Sequence, residues 1–215
     1  MEWAWSALGI SILWVVLHSA DYLLTITAAR VYGQGDLRSR IDMGGRSLEL
    51  NPVFQAAVNR AAWVSRRFLV TLLAGTVVLF AACTVWERVD SLAWAPELLA
   101  GVLVVTRVNV ICGHVQTLAL FHRVLQHAEA ADVRVRYDRG TVFTAKRWSY
   151  LQPAVLCALA FLITRSAFFA GGAVGMATLA GMTLTWQRKE ARRAAAGEAA
   201  RPAAAAARQP PQGTA

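Results

Sequence analysis

From Phe68 to Trp86 the chain runs 19 residues without one charged side chain, and no other feature constrains its fold as strongly. A helix of that length rises about 29 Å, close to the thickness of a bilayer's hydrocarbon core. Four further stretches are nearly as apolar: 3–29, broken only by His18 and Asp21; 98–121, carrying Arg107 and His114; 148–164; and 168–186. The last two are separated by little more than Arg165, and 39 residues in one helix would reach about 58 Å, twice what a crossing needs. A tight turn at Gly171-Gly172 is therefore expected between them. Hydrophobic residues make up 56% of the chain and charged residues 16%, against about a quarter charged in ordinary globular chains. This excludes a soluble enzyme. The sequence predicts an all-α polytopic integral membrane protein with five transmembrane helices and one interfacial helix, its bundle spanning 1–187. The N-terminal run lacks a basic flank and is too long for a signal peptide, so it reads as a retained span.

The positive charges orient those spans. The chain has 22 Lys and Arg against 13 Asp and Glu, a formal +9. Residues 30–67 carry seven basic side chains, 87–97 carry one, 122–147 carry six, Arg165 stands alone in the fourth connection, and six follow Trp186. Cytoplasmic loops collect Lys and Arg, so the alternation places the N-terminus outside and the C-terminus in the cytoplasm of a cell inner membrane. The basic excess is then a topological signal with an attraction to anionic inner-leaflet lipids, and no nucleic-acid partner is expected. Trp3, Trp5, Trp86 and Trp94 fall at the outer interface and Trp148 and Trp186 at the inner one, while Trp14 alone is mid-span. Residues 188–215, rich in Ala, Pro and Arg, read as a disordered cytoplasmic tail. Cys83, Cys112 and Cys157 are unpaired in number and widely spaced, which suits packing rather than a disulfide or zinc framework.

An ionisable group inside a span costs several kcal/mol unless it is paired or hydrated, on the order of 3 kcal/mol by insertion scales. Of the acidic residues only Asp21 lies inside a span. Ser11, Trp14, His18, Asp21 and Thr25 follow spacings of three and four, so they share one helix face that must look into the bundle. In the third span Arg107 and His114 are seven apart and nearly eclipsed, with Asn109 and Gln116 on the opposite side; this helix is polar on two faces and expected to be central. Asp21 and His114 lie seven or eight residues from the cytoplasmic ends of their spans, at matching depth, and Arg107 lies about 10 Å deeper.

These groups admit more than one use. As structure, Asp21 pairs with Arg107 or His114 and the polar stripe holds helices together. As an enzyme, Asp21 or Glu49 is the general base, His114 the acid–base partner and Arg107 the anion clamp, with Thr25 and Asn51 binding a lipid-derived or anionic substrate. His18, Asp21, Glu49 and His114 can also be drawn together as ligands of a divalent metal such as zinc, iron or manganese, although no compact metal signature is present. A transporter or scaffold subunit would use the same groups as an ion pair or proton relay, with Gly171, Gly175 and Gly181 of the fifth span packing on a membrane partner or a second copy.

Two loops carry further signals. Asn51-Pro52 has the chemistry of a helix start, Asn51 as cap and Pro52 at the first helical position. Residues 53–64 that follow are apolar but short for a crossing, and read as an interfacial helix or a re-entrant segment. The alternation from Val133 to Phe143, with Asp138-Arg139-Gly140 as a turn, predicts a small hairpin.

Asp21-x-x-x-Thr25, a glycine-containing turn and then Glu49-x-Asn51-Pro52 resemble the opening motif of small bacterial and archaeal polytopic membrane proteins to which no activity is assigned. The likeness covers residues 18–54. It implies that Asp21, Thr25, Glu49 and Asn51 form one cluster. Members of that group usually pass from Asn-Pro straight into a span, whereas Arg60, Arg66 and Arg67 intervene here. The function expected from sequence is thus a multi-pass inner-membrane protein with a polar, cytoplasm-facing intramembrane site.

Overall fold

A computed structural model describes residues 6–33, 37–42, 54–126, 135–136 and 139–206. In chain order these form α1 (Ala7–Tyr32), α2 (Leu37–Arg40), β1 (Ile41–Asp42), α3 (Gln55–Asn59), α4 (Arg66–Trp86), α5 (Ala95–Gln126), β2 (Val135–Arg136), α6 (Arg139–Thr164) and α7 (Ala167–Ala206). A 3-10 turn at Asp90–Leu92 leads into α5. Four helical segments are long and apolar enough to cross a membrane: α1, α4, α5 with its preceding turn, and α7 over Ala167–Arg192. The fifth expected span, 148–164, lies in α6. That helix begins at Arg139 and is diluted by Lys146, Arg147, Gln152 and Pro153, so it does not join the four.

Local chemistry sets the helix ends. Ser6 caps α1 by accepting from the Gly9 amide at 3.2 Å, and Ser65 caps α4 by accepting from that of Phe68 at 3.1 Å; each satisfies an amide that the first helical turn leaves without an intrahelical acceptor. The turn between α6 and α7 is not at Gly171-Gly172. It is at Arg165, whose φ of 57° lets its amide reach back to the Phe161 carbonyl at 2.8 Å and end α6. A carboxylate from the neighbouring helix secures the restart: Glu97 of α5 accepts from the Ser166 hydroxyl at 2.6 Å and the Phe168 amide at 3.3 Å. The same device recurs where Glu87, at the end of α4, accepts from the Ala7 amide opening α1 at 2.5 Å.

The helices pack as a row. α1 lies between α4 and α5, α5 packs on α7, and α7 packs on α6. Between α5 and α7 the contact is backbone to backbone. A β-carbon added at Gly101 would fall 1.8 Å from the Phe168 carbonyl oxygen, and one at Gly171 1.8 Å from that of Leu98. Gly175 is similarly close to Thr106 and Val102. The two glycines Gly171 and Gly175, expected to face a partner, are therefore taken up inside the chain, and only Gly181 has open space around it. α7 also runs on to Ala206 as helix, where a disordered tail from residue 188 was expected; the high helix propensity of alanine accounts for the difference.

The α1–α4 contact explains the mid-span tryptophan. Trp14 is 9% exposed, its indole N–H donates to the Leu72 carbonyl at 3.2 Å, and its ring lies flat where Gly75 carries no side chain. Toward the other end of α1, residues 54–65 cover the groove between α1 and α4. Phe54 lies beside both His18 and Tyr22, Val58 is buried with Tyr22, Ile26 and Phe68, and only Gln55–Asn59 is helical. Ala61 then takes a φ of 48°, a left-handed conformation that costs an L-residue roughly 1–2 kcal/mol. The Tyr22 hydroxyl donates to the Ala62 carbonyl at 2.8 Å, and Arg30 donates twice to that of Ala61 at 3.2 and 3.1 Å, holding the turn in place. Asn51 and Pro52, the expected start of this helix, lie outside the described residues.

Among the described residues of 133–143 the expected hairpin does not form. Instead Val135 and Arg136 pair in parallel with Ile41 and Asp42, and Arg139 already opens α6. The two basic loops are thereby stitched together beside a small cluster of Ala28, Leu37, Ile41 and Phe121.

Candidate functional site

The face of α1 predicted from spacing is the face that packs. Ser11, Trp14, His18 and Thr25 are all buried, and Asp21 is partly so. The buried hydroxyls are bonded to their own helix: Ser11 donates to the Ala7 carbonyl at 2.7 Å, and Thr25 to the Asp21 carbonyl at 2.9 Å.

Asp21 meets both of its candidate partners on α5. One carboxylate oxygen accepts from an Arg107 terminal nitrogen at 2.5 Å, and the other lies 3.1 Å from His114 Nε2. The two α5 residues are two turns apart, about 10 Å along the axis, and the length of the arginine side chain closes that gap. Arg107 also lies 5.0 Å over the Trp14 ring, a cation–π contact. Trp14, which the sequence places mid-span and on the same helix face as Asp21, thus belongs to the site.

The hydrogen positions follow from the partners. Thr25 Oγ1 lies 3.0 Å from His114 Nε2, and its own proton is directed to the Asp21 carbonyl. An ionised carboxylate only accepts, so Nε2 carries the proton that lies between Asp21 and Thr25. This rules out a nucleophilic triad built on Thr25, since a triad needs hydroxyl and carboxylate on opposite ring nitrogens, whereas here both face Nε2. With one oxygen on Arg107 and the other on His114, Asp21 is also a poor general base until one of those partners is displaced. Arg107 is less fully used. A guanidinium has five N–H donors, one is spent on Asp21, and the side chains of Arg107, His114 and Asp21 retain 25%, 23% and 15% exposure.

His18 stands apart from this network, one turn away. Its ring is stacked on Trp14 at 4.5 Å, with planes 8° apart, and on Phe68 at 5.6 Å, and Phe54 closes a third side at 6.3 Å. It is 4% exposed, and among the described residues neither ring nitrogen has a hydrogen-bond partner. Tyr22 stacks on the same Phe68 at 4.2 Å and extends the pile. The sequence held one hint of this slot, the aromatic Trp14 and Tyr22 four residues either side of His18.

Of the residues drawn from sequence, Asp21, Thr25, Arg107 and His114 come together, and Glu49 and Asn51 lie outside the described residues. Among the described residues no three His, Cys, Asp or Glu side chains form a group able to hold a metal ion. The described members of the expected metal set, His18, Asp21 and His114, do not make one, because His18 turns its ring into the aromatic stack. Compared with known protein families, with curated proteins and with solved structures, the chain matches none.

Proposed function

We propose that this is a five-span protein of the cytoplasmic membrane, N-terminus outside, whose Asp21–Arg107–His114–Thr25 network is a cytoplasm-facing site that binds an anionic group in exchange for Asp21. The observation that carries this is the lock itself: a carboxylate held on one oxygen by an arginine and on the other by a histidine of the same neighbouring helix, with the arginine left donor-rich and partly exposed. An anion able to replace the carboxylate on Arg107 finds its donors already positioned, and the freed Asp21 gains the acceptor capacity that a base or proton carrier needs.

The topology draws support from the sorting of charge between the two helix ends. The end marked by the Glu87–Ala7 and Glu97–Ser166 contacts carries Arg88 and Arg165. The opposite end carries Arg30, Arg60, Arg66, Arg67, Arg123, Lys146, Arg147 and Arg188. In this reading α6, packed along α7, is the fourth crossing. The likeness of Asp21, Thr25, Glu49, Asn51 and Pro52 to the motif of small polytopic membrane proteins is part of the proposal.

Thermal unfolding of the purified protein in mild detergent, with phosphate, sulfate or a short-chain carboxylate added at constant ionic strength, tests the binding reading. One of these anions should raise the midpoint for wild type and not for Arg107→Gln. An equal response of both proteins, or none, sinks it. A periplasmic reporter fused after residue 215 should be inactive, and activity there overturns the orientation.

A further inference from the structure

The turn between α3 and α4 presents an unusual surface. Trp63 is 47% exposed and Val64 62% exposed, side by side, between Arg60 on one flank and Arg66 and Arg67 on the other. Arg30 of α1 lies 4.3 Å over the Trp63 ring. This is not a loose loop. The left-handed turn at Ala61, bonded to Arg30 and neighboured by the Tyr22–Ala62 bond, fixes the direction in which Trp63 and Val64 leave the bundle. Arg60 is steadied too, its Nε donating to the Ala56 carbonyl at 3.2 Å while the residue stays exposed.

The balance of charge says what is missing. From Phe54 to Trp86 the chain contains no Asp or Glu, and among the described residues neither Arg60 nor Arg66 has a carboxylate partner. A fixed apolar pair flanked by Arg60 and Arg66, which meet no carboxylate among the described residues, lies where two span-length helices end, α1 at Tyr32 and α4 at Arg66. Tryptophan prefers the depth of lipid carbonyls and glycerol, and arginine forms paired hydrogen bonds with phosphodiester oxygens that lie just above. A nucleic acid would match the charge and leave Trp63 and Val64 in water; an acidic protein would need a carboxylate cluster sitting at headgroup depth.

We propose that Arg30, Arg60, Trp63, Val64, Arg66 and Arg67 form a docking site for the headgroup of an anionic phospholipid, with phosphate between the arginines and the glycerol backbone against Trp63. The site rests on the membrane reading but not on the Asp21–Arg107 site, which lies on the α5 side of α1, so either can fail alone.

The test uses full-length protein in phosphatidylcholine nanodiscs with and without phosphatidylglycerol. Hydrogen–deuterium exchange should slow over residues 60–67 when phosphatidylglycerol is present, and not over 188–192, a stretch of α7 that also carries three basic side chains, together with Glu190. Retention of phosphatidylglycerol should fall by about a hundredfold in Arg60→Gln/Arg66→Gln/Arg67→Gln, about fivefold for each arginine. It should change little in Arg188→Gln/Lys189→Gln/Arg192→Gln. Equal loss in the two triple variants, or exchange that slows equally over both stretches, means a diffuse counter-ion cloud and overturns the site. So does slowing that is the same in phosphatidylcholine alone. The exchange measurement on wild type decides the matter if the first triple variant fails to fold.

Discussion

Three glycines of one helix should respond to the same substitution in different ways. In Gly171→Ala the new methyl would lie 1.8 Å from the Leu98 carbonyl oxygen, where an ordinary contact begins at 3.4 Å, so α5 and α7 must part by 1.6 Å at that point. The obstacle is backbone, and no rotamer change relieves it. A gap of 0.5–1 Å already forfeits roughly a quarter to a half of a dispersion contact, so most of the packing near Gly101, Gly171 and Gly172 is lost. We expect a cost near the upper end of the overpacking range, about 3 kcal/mol, against which the helix-propensity gain of about 1 kcal/mol is small. Gly175→Ala meets a side-chain carbon of Thr106 at 2.7 Å and the Val102 backbone at 3.2 Å, and should be intermediate. Gly181→Ala meets nothing within 4 Å and should be neutral or stabilising by up to about 1 kcal/mol. Equilibrium unfolding of the three variants in mixed micelles, followed by far-UV circular dichroism, gives the order directly. If Gly171→Ala is as stable as wild type, or if all three variants shift alike, the close α5–α7 approach is wrong.

Other consequences can be checked in the same system. Asp21→Asn and Arg107→Gln should each destabilise by roughly 1–3 kcal/mol, less than a fully buried pair because both side chains keep some exposure. The double variant should lose clearly less than the sum of the two, and strict additivity would show that the pair does not interact. His18→Phe removes two ring nitrogens that are unbonded among the described residues and should stabilise by about 1 kcal/mol or more; a loss of stability would reveal a polar partner for the imidazole. Glu97→Ala leaves the Ser166 hydroxyl and the Phe168 amide without their acceptor and should cost about 0.5–2 kcal/mol, as loss of a helix cap does. An unchanged midpoint would assign the start of α7 to other contacts.

The parts of this architecture that were legible in sequence are those where lipid leaves one solution. A lone aspartate in an apolar run must find a cation or a hydrogen-bond donor, and Arg107 and His114, on one face of another apolar run, were the groups at hand. The stripe Ser11, Trp14, His18, Asp21, Thr25 was legible for the same reason, since spacing of three and four turns toward the bundle whatever it packs against. What escaped was decided by neighbours that spacing does not encode. Gly171-Gly172 suits a tight turn and a close helix contact equally, and only the arrival of α5 makes it the second. His18 carries ligand chemistry until Trp14 and Phe68 are seen to cover its ring. Residues 135–136 alternate like half a hairpin, yet their partner strand is Ile41–Asp42, far back in the chain. The Ala-rich tail was judged by composition, and the helix propensity of its alanines carried α7 to Ala206.

The bond between Asp21 and Arg107 joins residues 86 positions apart, and it therefore has a history during synthesis. At about 5–20 residues per second the ribosome needs about 4–17 s to produce Arg107 after Asp21. During that interval α1 must sit in the bilayer with its carboxyl group unpaired, at a cost of about 2.5–3.5 kcal/mol for an aspartate at mid-depth. Ten Leu, Ile and Val residues between Ala7 and Thr27 offset it, at about 0.3–0.6 kcal/mol each. The apolar sum, about 3–6 kcal/mol, exceeds the cost of the aspartate by no more than a few kcal/mol. By itself α1 is thus held in the membrane with about half of its apolar gain offset, and that gain is restored by a helix made seconds later.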